Sequence, residues 1–217
     1  MTTRLDGRAA LVTGGAAGLG RVISHSLADA GATGLVLDTA EHCADLPPGW
    51  FLQQGDVASE QDVAAAVADI DRRFGRLDIV IANAGLVPPW HETGDIDLEE
   101  WDRVFAVNVR GVAATIKHSV PLLRRDGGSI VVMASLNSRR GHPQQCLYTA
   151  SKHAVLGIVR SVALDLGRFG IRVNALGPGP IATHALTERI RHRAGQGGPP
   201  LDEALASYAA DTALGAT

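Results

Sequence analysis

An α/β fold built on one doubly wound parallel sheet, helix layer on sheet on helix layer, is predicted by three observations. Short apolar runs alternate with longer segments of helical periodicity along most of the chain. The first of these runs leads directly into a glycine-rich turn and then an amphipathic helix. Asp38, Asp56, Asn83, Ser135 and Pro178 all fall at or just after the ends of predicted strands, which places them along one edge of such a sheet.

The elements follow in order. Residues 8–13 form a buried strand, and residues 21–30 the amphipathic helix after the glycine turn. Residues 34–37 form a second strand ending in Asp38, and residues 50–54 a third. The link between them holds Pro47 and Pro48, so any crossover helix there must be short. Residues 59–74 read as a helix capped by Ser59, with Asp62 in its first turn. A fourth strand is expected over 77–82, a long helix over 98–123 and a fifth strand over 129–134. A helix over 148–168 and a sixth strand over 171–175 complete the series.

The chain has 217 residues, 46% hydrophobic and 20% charged, with a net charge of −3. This fits one α/β domain over 1–217 with a large core. The charge balance argues against a nucleic-acid partner, and no apolar run reaches the length of a membrane span. The first residues lack the apolar stretch of a signal peptide. Cys43 and Cys146 have no metal-ligand spacing, so no metal site is expected, and a reducing cytoplasm is the natural location.

The turn after the first strand reads Gly14-Gly15-Ala16-Ala17-Gly18-Leu19-Gly20. Gly14 allows a tight turn, Gly18 lets a pyrophosphate approach the backbone, and Gly20 lets the helix pack closely on the strand. The helix start then offers free N–H groups and a positive dipole end to phosphates. Asp38, eighteen residues beyond Gly20, would accept hydrogen bonds from a ribose 2′-OH and repel a 2′-phosphate. No Arg or Lys adjoins it and Ala17 is uncharged, so NAD is expected rather than NADP.

Tyr148 and Lys152 lie four residues apart and therefore share one helix face. A phenol with a pKa of about 10 is a poor base at neutral pH, and lowering it by three units takes roughly 4 kcal/mol. The Lys152 ammonium is expected to supply part of that and a cationic cofactor ring the rest, making Tyr148 a candidate general base.

Thr13-Gly14-x-x-x-Gly18-Leu19-Gly20, Asn83-Ala84-Gly85, Asn108, Ser135, Tyr148-x-x-x-Lys152 and Pro178-Gly179 together resemble the short-chain dehydrogenase/reductase family, in its compact single-domain branch. The match spans residues 5 to about 183. It implies a Rossmann-type fold and an NAD-dependent oxidoreductase interconverting a secondary alcohol and a ketone. Tyr148 would move the proton while Ser135 hydrogen-bonds the reacting oxygen. Lys152 would lower the Tyr148 pKa and hold the nicotinamide ribose. Asn108 would distort its helix and hold a water leading from Lys152 to solvent. Asp56 and Val57 would flank the adenine, and Asn83, Ala84 and Gly85 would run along the adenosine half. Pro178, Gly179, Ile181 and Thr183 would close over the nicotinamide. The rival reading is a non-catalytic dinucleotide sensor or scaffold on the same fold. An epimerase or dehydratase of the sister branch would need a separate substrate domain.

The substrate pocket is expected from the loop after Gly85, with Trp90, and from Leu136, Asn137 and Gln145. Arg139, Arg140 and His142 could attract an anion. Residues 183–200, rich in Gly and basic side chains, would form a mobile lid within a 183–217 region. Relatives continue beyond the equivalent of Thr217 with a helix and a seventh strand. Their lack is expected to leave the sixth strand an edge and residues 211–217 leading toward a missing helix. A homodimer or homotetramer is expected through helices 98–123 and 148–168, with a small alcohol or ketone as the other partner.

Overall fold

The computed structural model describes residues 4–195 and 197–210. Six strands form one all-parallel sheet in the order β3-β2-β1-β4-β5-β6: β1 (Ala9–Thr13), β2 (Thr33–Asp38), β3 (Trp50–Gln54), β4 (Ile79–Ala82), β5 (Gly128–Met133) and β6 (Ile171–Leu176). The order reverses between β1 and β4, which opens a crevice beyond the strands' carboxyl ends. β3 and β6 are the edges among the described residues, as expected for β6.

Helices cover both faces. On one, α2 (Glu60–Phe74), α4 (Gly111–Asp126) and α5 (Cys146–Leu166) bury Val63, Ile70, Leu123, Val155 and Val159 against Leu11, Leu35, Val80 and Ile130. On the other, α1 (Gly18–Asp29) lays Ile23 and Leu27 on Ala10, Val12 and Val36. The core strands are apolar on both faces because both are covered, so β1 is buried at all five positions. Ser59 caps α2 by accepting the Asp62 N–H at 3.3 Å.

Two expectations need correction, and two others gain detail. The predicted helix over 98–123 is broken in mid-course. Helix α3 (Leu98–Phe105) passes through a π-helical turn, Ala106–Arg110, before α4 resumes. A π turn holds one residue more than an α turn, and the interruption falls on Val107-Asn108-Val109, poor helix formers. Between β2 and β3 the chain forms no helix, as the two prolines dictate. The fourth strand is shorter than expected because Leu77 and Asp78 precede the pairing with β1. Residues 183–200, expected as a lid, are built largely as a helix, with α6 at His184–Ala194 and α7 at Leu201–Ala210 beyond it. Thr183 caps α6 by accepting the Leu186 N–H at 3.3 Å. The expectation for residues 211–217 lies outside the described residues.

At the amino end of the sheet, Asp78 closes a polar cluster. Its carboxylate accepts from Arg8 at 2.6 Å, from Arg76 at 2.8 and 2.6 Å, and from the Ala9 N–H at 2.9 Å. Burial alone pushes the Asp78 carboxyl up, but the Arg76, Ala9 and Arg8 hydrogen bonds outweigh it and hold the pKa at about 2.

Candidate active site

The glycine turn docks on the loop after β4. A Cβ on Gly14 would meet Ala84 Cα at 2.8 Å, and one on Gly20 would meet the Gly14 oxygen at 2.1 Å. Asn83 locks this contact, donating from Nδ2 to the carbonyls of Thr13 (3.0 Å) and Gly14 (2.8 Å). Thr13 Oγ1 accepts the N–H groups of Asn83 and Ala84 at 3.1 Å each. Asn83 and Ala84 thus hold the turn in shape, a role the sequence alone did not suggest.

Gly18 is different. Its φ of +53° favours glycine, and a Cβ there would meet nothing within 4 Å. Helix α1 starts at this open point, and its N-cap, Ala17, makes no side-chain cap bond. Uncapped helix amides facing open space fit a pyrophosphate. Beside them Asp38 accepts the N–H groups of Ala16 (2.9 Å) and Ala40 (3.1 Å). One bond to each carboxylate oxygen leaves lone pairs for ribose hydroxyls. The residues present therefore fit a dinucleotide.

Farther along the crevice is a cavity of about 330 Å³. It gathers Ser135, Tyr148 and Lys152 from the predicted catalytic set, and Trp90, Leu136, Asn137 and Gln145 from the predicted pocket. Leu19, Asn83, Gly85, Pro178, Gly179, Ile181 and Thr183 also reach it. Gly14, Ala17, Gly18, Gly20, Asp38, Asp56, Val57 and Ala84 do not line it. Asp56 is exposed with its Oδ1 accepting from Ala58 N–H, and Val57 is buried against Gly111.

Ser135 follows β5, and its Oγ accepts the Asn137 N–H at 3.2 Å while its own N–H donates to Ser138 Oγ at 3.2 Å. This two-way cap fixes the serine in the cavity that Tyr148 also lines. Asn137 in turn donates to Gln145 Oε1 (2.8 Å) and Thr149 Oγ1 (3.2 Å), tying that turn to the start of α5.

The Tyr148 pKa runs opposite to expectation. Burial raises it above the usual 10, while the Ser135 hydrogen bond and the Arg189 charge pull less strongly downward. Lys152 is not among the groups acting on it, because its ammonium points elsewhere. Nζ donates to the Met133 carbonyl at 2.7 Å and stands 5.8 Å from the Tyr148 ring centroid. Burial lowers the Lys152 pKa to about 8.

Asn108 does sit in a distorted helix, fully buried in the π turn. Its side chain accepts the Leu86 N–H at 2.7 Å and donates to the Leu86 carbonyl at 2.8 Å and Ser151 Oγ at 3.2 Å. Its amide therefore pins the loop after β4 to α5. A Cβ on Gly85 would lie 3.3 Å from Asn108 Oδ1 and 3.7 Å from Lys152 Nζ, so the glycine keeps these two groups close.

Sequence reading missed Arg189, Leu186 and Tyr208, which line the cavity from α6 and α7. The signal was present, since Leu186, Arg189 and Arg193 are spaced three and four apart on one helix face. Among the described residues no cluster of His, Cys, Asp or Glu could hold a metal ion.

The family model for short chain dehydrogenase matches residues 8–194. This chain belongs to that family. It is 40% identical over 189 residues to short-chain dehydrogenase reductase 5 of Arabidopsis thaliana, covering 83% of this chain and 73% of the relative. The crystal structure of levodione reductase matches with a TM-score of 0.87 at 31% identity, over 94% of this chain and 83% of that one. Carveol dehydrogenase from Mycobacterium avium, solved in complex with NAD, gives a TM-score of 0.85 at 29% identity, over 96% and 84%. The chain is thus an oxidoreductase by family, with the family's Rossmann fold and its nicotinamide dinucleotide chemistry. No helix among the described residues is long and apolar enough to cross a membrane.

Proposed function

We propose that this chain interconverts a secondary alcohol and a ketone with NAD, using Tyr148 to move the proton. The observation that carries the reading is that one cavity gathers the Tyr148 phenol, a doubly fixed Ser135 and the enclosed Lys152 ammonium. A phenol whose pKa is raised is protonated at neutral pH and set to donate to a ketone oxygen. Ser135, a hydroxyl and no base, stabilises the charge developing on that oxygen. Lys152, its ammonium anchored on the Met133 carbonyl, binds ribose hydroxyls with its remaining donors. Asn108 is a positioning residue, acting through Leu86 and Ser151. When bound, the dinucleotide supplies the hydride acceptor or donor.

Cofactor residues follow from the fit described above. The open amides at Ala17, Gly18 and Leu19 take the pyrophosphate, with Gly14 and Gly20 shaping the turn. Asp38 takes the adenosine ribose and disfavours a 2′-phosphate, and the NAD bound to carveol dehydrogenase is consistent with that choice. Asp56, Val57, Asn83, Ala84 and Gly85 border the adenosine half; Pro178, Gly179, Ile181 and Thr183 border the nicotinamide. The chain acts as one dinucleotide-binding domain over 1–217, with α6 and α7 covering the substrate. The assembly is a homodimer or homotetramer through α4 and α5, for which the 85% exposure of Leu164 on α5 is a motive. Two free cysteines fit a cytoplasmic setting.

The test is a panel of secondary alcohols and ketones assayed by NADH absorbance with NAD and NADP in parallel. Turnover of at least one pair, faster with NAD, is expected. Binding of NAD without turnover of any member would leave only a dinucleotide binder.

A further inference from the structure

The cavity that holds Tyr148 is lined by three permanent or near-permanent cations, Arg140, Lys152 and Arg189, and by no Asp or Glu. Lys152 has its place beneath Tyr148. Arg140 is exposed at the rim. Arg189 stands apart: it reaches the cavity from the covering helix α6 and is largely enclosed.

Its surroundings do not neutralise it. The Arg189 guanidinium stacks on the Trp90 ring at 4.4 Å and donates from Nη2 to the Pro88 carbonyl at 3.0 Å. Its Nε–H is buried without an acceptor, and among the described residues no carboxylate lies within ion-pair distance of it. The neighbouring charges are spent elsewhere: Glu188 pairs with Arg191 at 2.5 Å, and Arg193 donates to Gln144 Oε1 at 2.9 Å. Burial pushes the Arg189 pKa down, opposed by the phenols of Tyr148 and Tyr208. A guanidinium enclosed with one carbonyl and an aromatic face is short of an anion. Around it the cavity is apolar, through Leu86, Val87, Leu136 and Leu186.

We infer that the substrate is a hydroxy or keto acid with an apolar body, its carboxylate received by Arg189 while its alcohol or ketone carbon faces Tyr148. This rests on the alcohol–ketone reading above and narrows it to one substrate class. A carboxylate matches the single positive charge and can accept from the guanidinium N–H groups that the Pro88 carbonyl does not take. A phosphate would call on a second cation, and Arg193, 4.8 Å from the same Trp90 ring, already donates to Gln144 Oε1 and does not line this cavity.

The test uses 2- and 3-hydroxyhexanoate beside the neutral amides of the same acids, with the full chain and NAD. Turnover and calorimetric binding are both read as the acid-to-amide ratio, so that a variant of lowered folding yield is internally corrected. The acid is expected to win by at least about tenfold in kcat/KM and in Kd for one of the two chain positions. The ratio should fall toward one in Arg189→Gln, recover in part in Arg189→Lys, and persist in Arg191→Gln, which removes a like charge from the exposed face of α6. An acid-to-amide ratio near one in the unmutated protein, or one untouched by Arg189→Gln, would overturn the inference while leaving the alcohol–ketone reading intact. Tight, Arg189-dependent acid binding with no turnover would do the reverse. A ratio that falls equally in Arg191→Gln would reduce the effect to general charge and also overturn it.

Discussion

The two ends of the parallel sheet treat buried charge in opposite ways. At the amino end, Asp78 is 5% exposed yet has four hydrogen bonds from Arg8, Arg76 and the Ala9 N–H, and every one of its interactions is local and satisfied. At the carboxyl end, Lys152 is equally enclosed but has a single carbonyl for its ammonium, and Arg189 has a carbonyl and a ring. The first arrangement contributes to folding. The second costs folding energy and leaves donors facing a cavity, which is how a binding site differs from a structural one.

The largest test of this contrast is Tyr148→Phe. Turnover should fall by at least about a hundredfold, the low end for loss of a proton carrier, while thermal stability and NAD binding stay near their starting values. Retained activity would assign Tyr148 to packing. At the other end, Asp78→Ala should leave kcat unchanged and destabilise the fold by about 1–3 kcal/mol, since the Ala9 N–H loses its acceptor. Chemical denaturation of the two variants side by side would separate the ends; equal stability losses would erase the distinction.

The same aspartate sets an acid limit. Its folded pKa of about 2 lies below the 3.8 of an ordinary aspartate, so its contribution is complete above the unfolded value and disappears as pH falls through the folded one. At about 1.36 kcal/mol per unit, roughly 2 kcal/mol should be lost across that window, and Asp78→Asn should remove this part of the slope. A titration of stability that is flat there in the unmutated protein would refute it. Lys152→Met gives the complementary result. Its ammonium, held at a pKa of about 8 by burial, opposes folding at neutral pH, so the variant without cofactor should melt no lower and up to about 1 kcal/mol higher. A clear drop in melting temperature would make Lys152 a structural residue. A change in specificity rather than stability is expected at Asp38, where Asp38→Ala should narrow the NAD-over-NADP preference by about tenfold, or 1.4 kcal/mol, read as the ratio of the two Kd values.

Much of this was legible in the sequence, for reasons that differ along the chain. β1 and β2 were readable because buried parallel strands are apolar throughout, and the glycine turn because its steric demands are local. Ser135, Tyr148 and Lys152 were readable through their fixed spacing. The direction of the Tyr148 pKa was not, because it depends on where the Lys152 ammonium points, and Met133 O decides that. Asn83 was readable as a cofactor contact but not as the fastener of the turn, because that role depends on its bonds to Thr13 and Gly14. Arg189 escaped because an arginine in a run of basic residues reads as a solvated helix face, and only the packing of α6 on Trp90 encloses it.

The π turn at Ala106–Arg110 has a further consequence, for how this chain tolerates changes of length. One surplus residue shifts the phase of everything after it by about 100°, the angle per residue of an α-helix. The face α3 shows its neighbours is therefore not the face α4 continues. Deleting one residue inside the turn would restore an ordinary helix, swing Asn108 off Leu86 and Ser151, and turn the buried side of α4 away from α2. Deleting one residue between Tyr148 and Lys152, where no surplus exists, would leave the pair on one face at a spacing of three but turn the rest of α5 by about 100° against what precedes it. Circular dichroism should register nearly full helix content in both deletions, while thermal denaturation shows both destabilised by lost packing. The surplus residue thus works as a ratchet tooth, holding two halves of one rod at a fixed rotation.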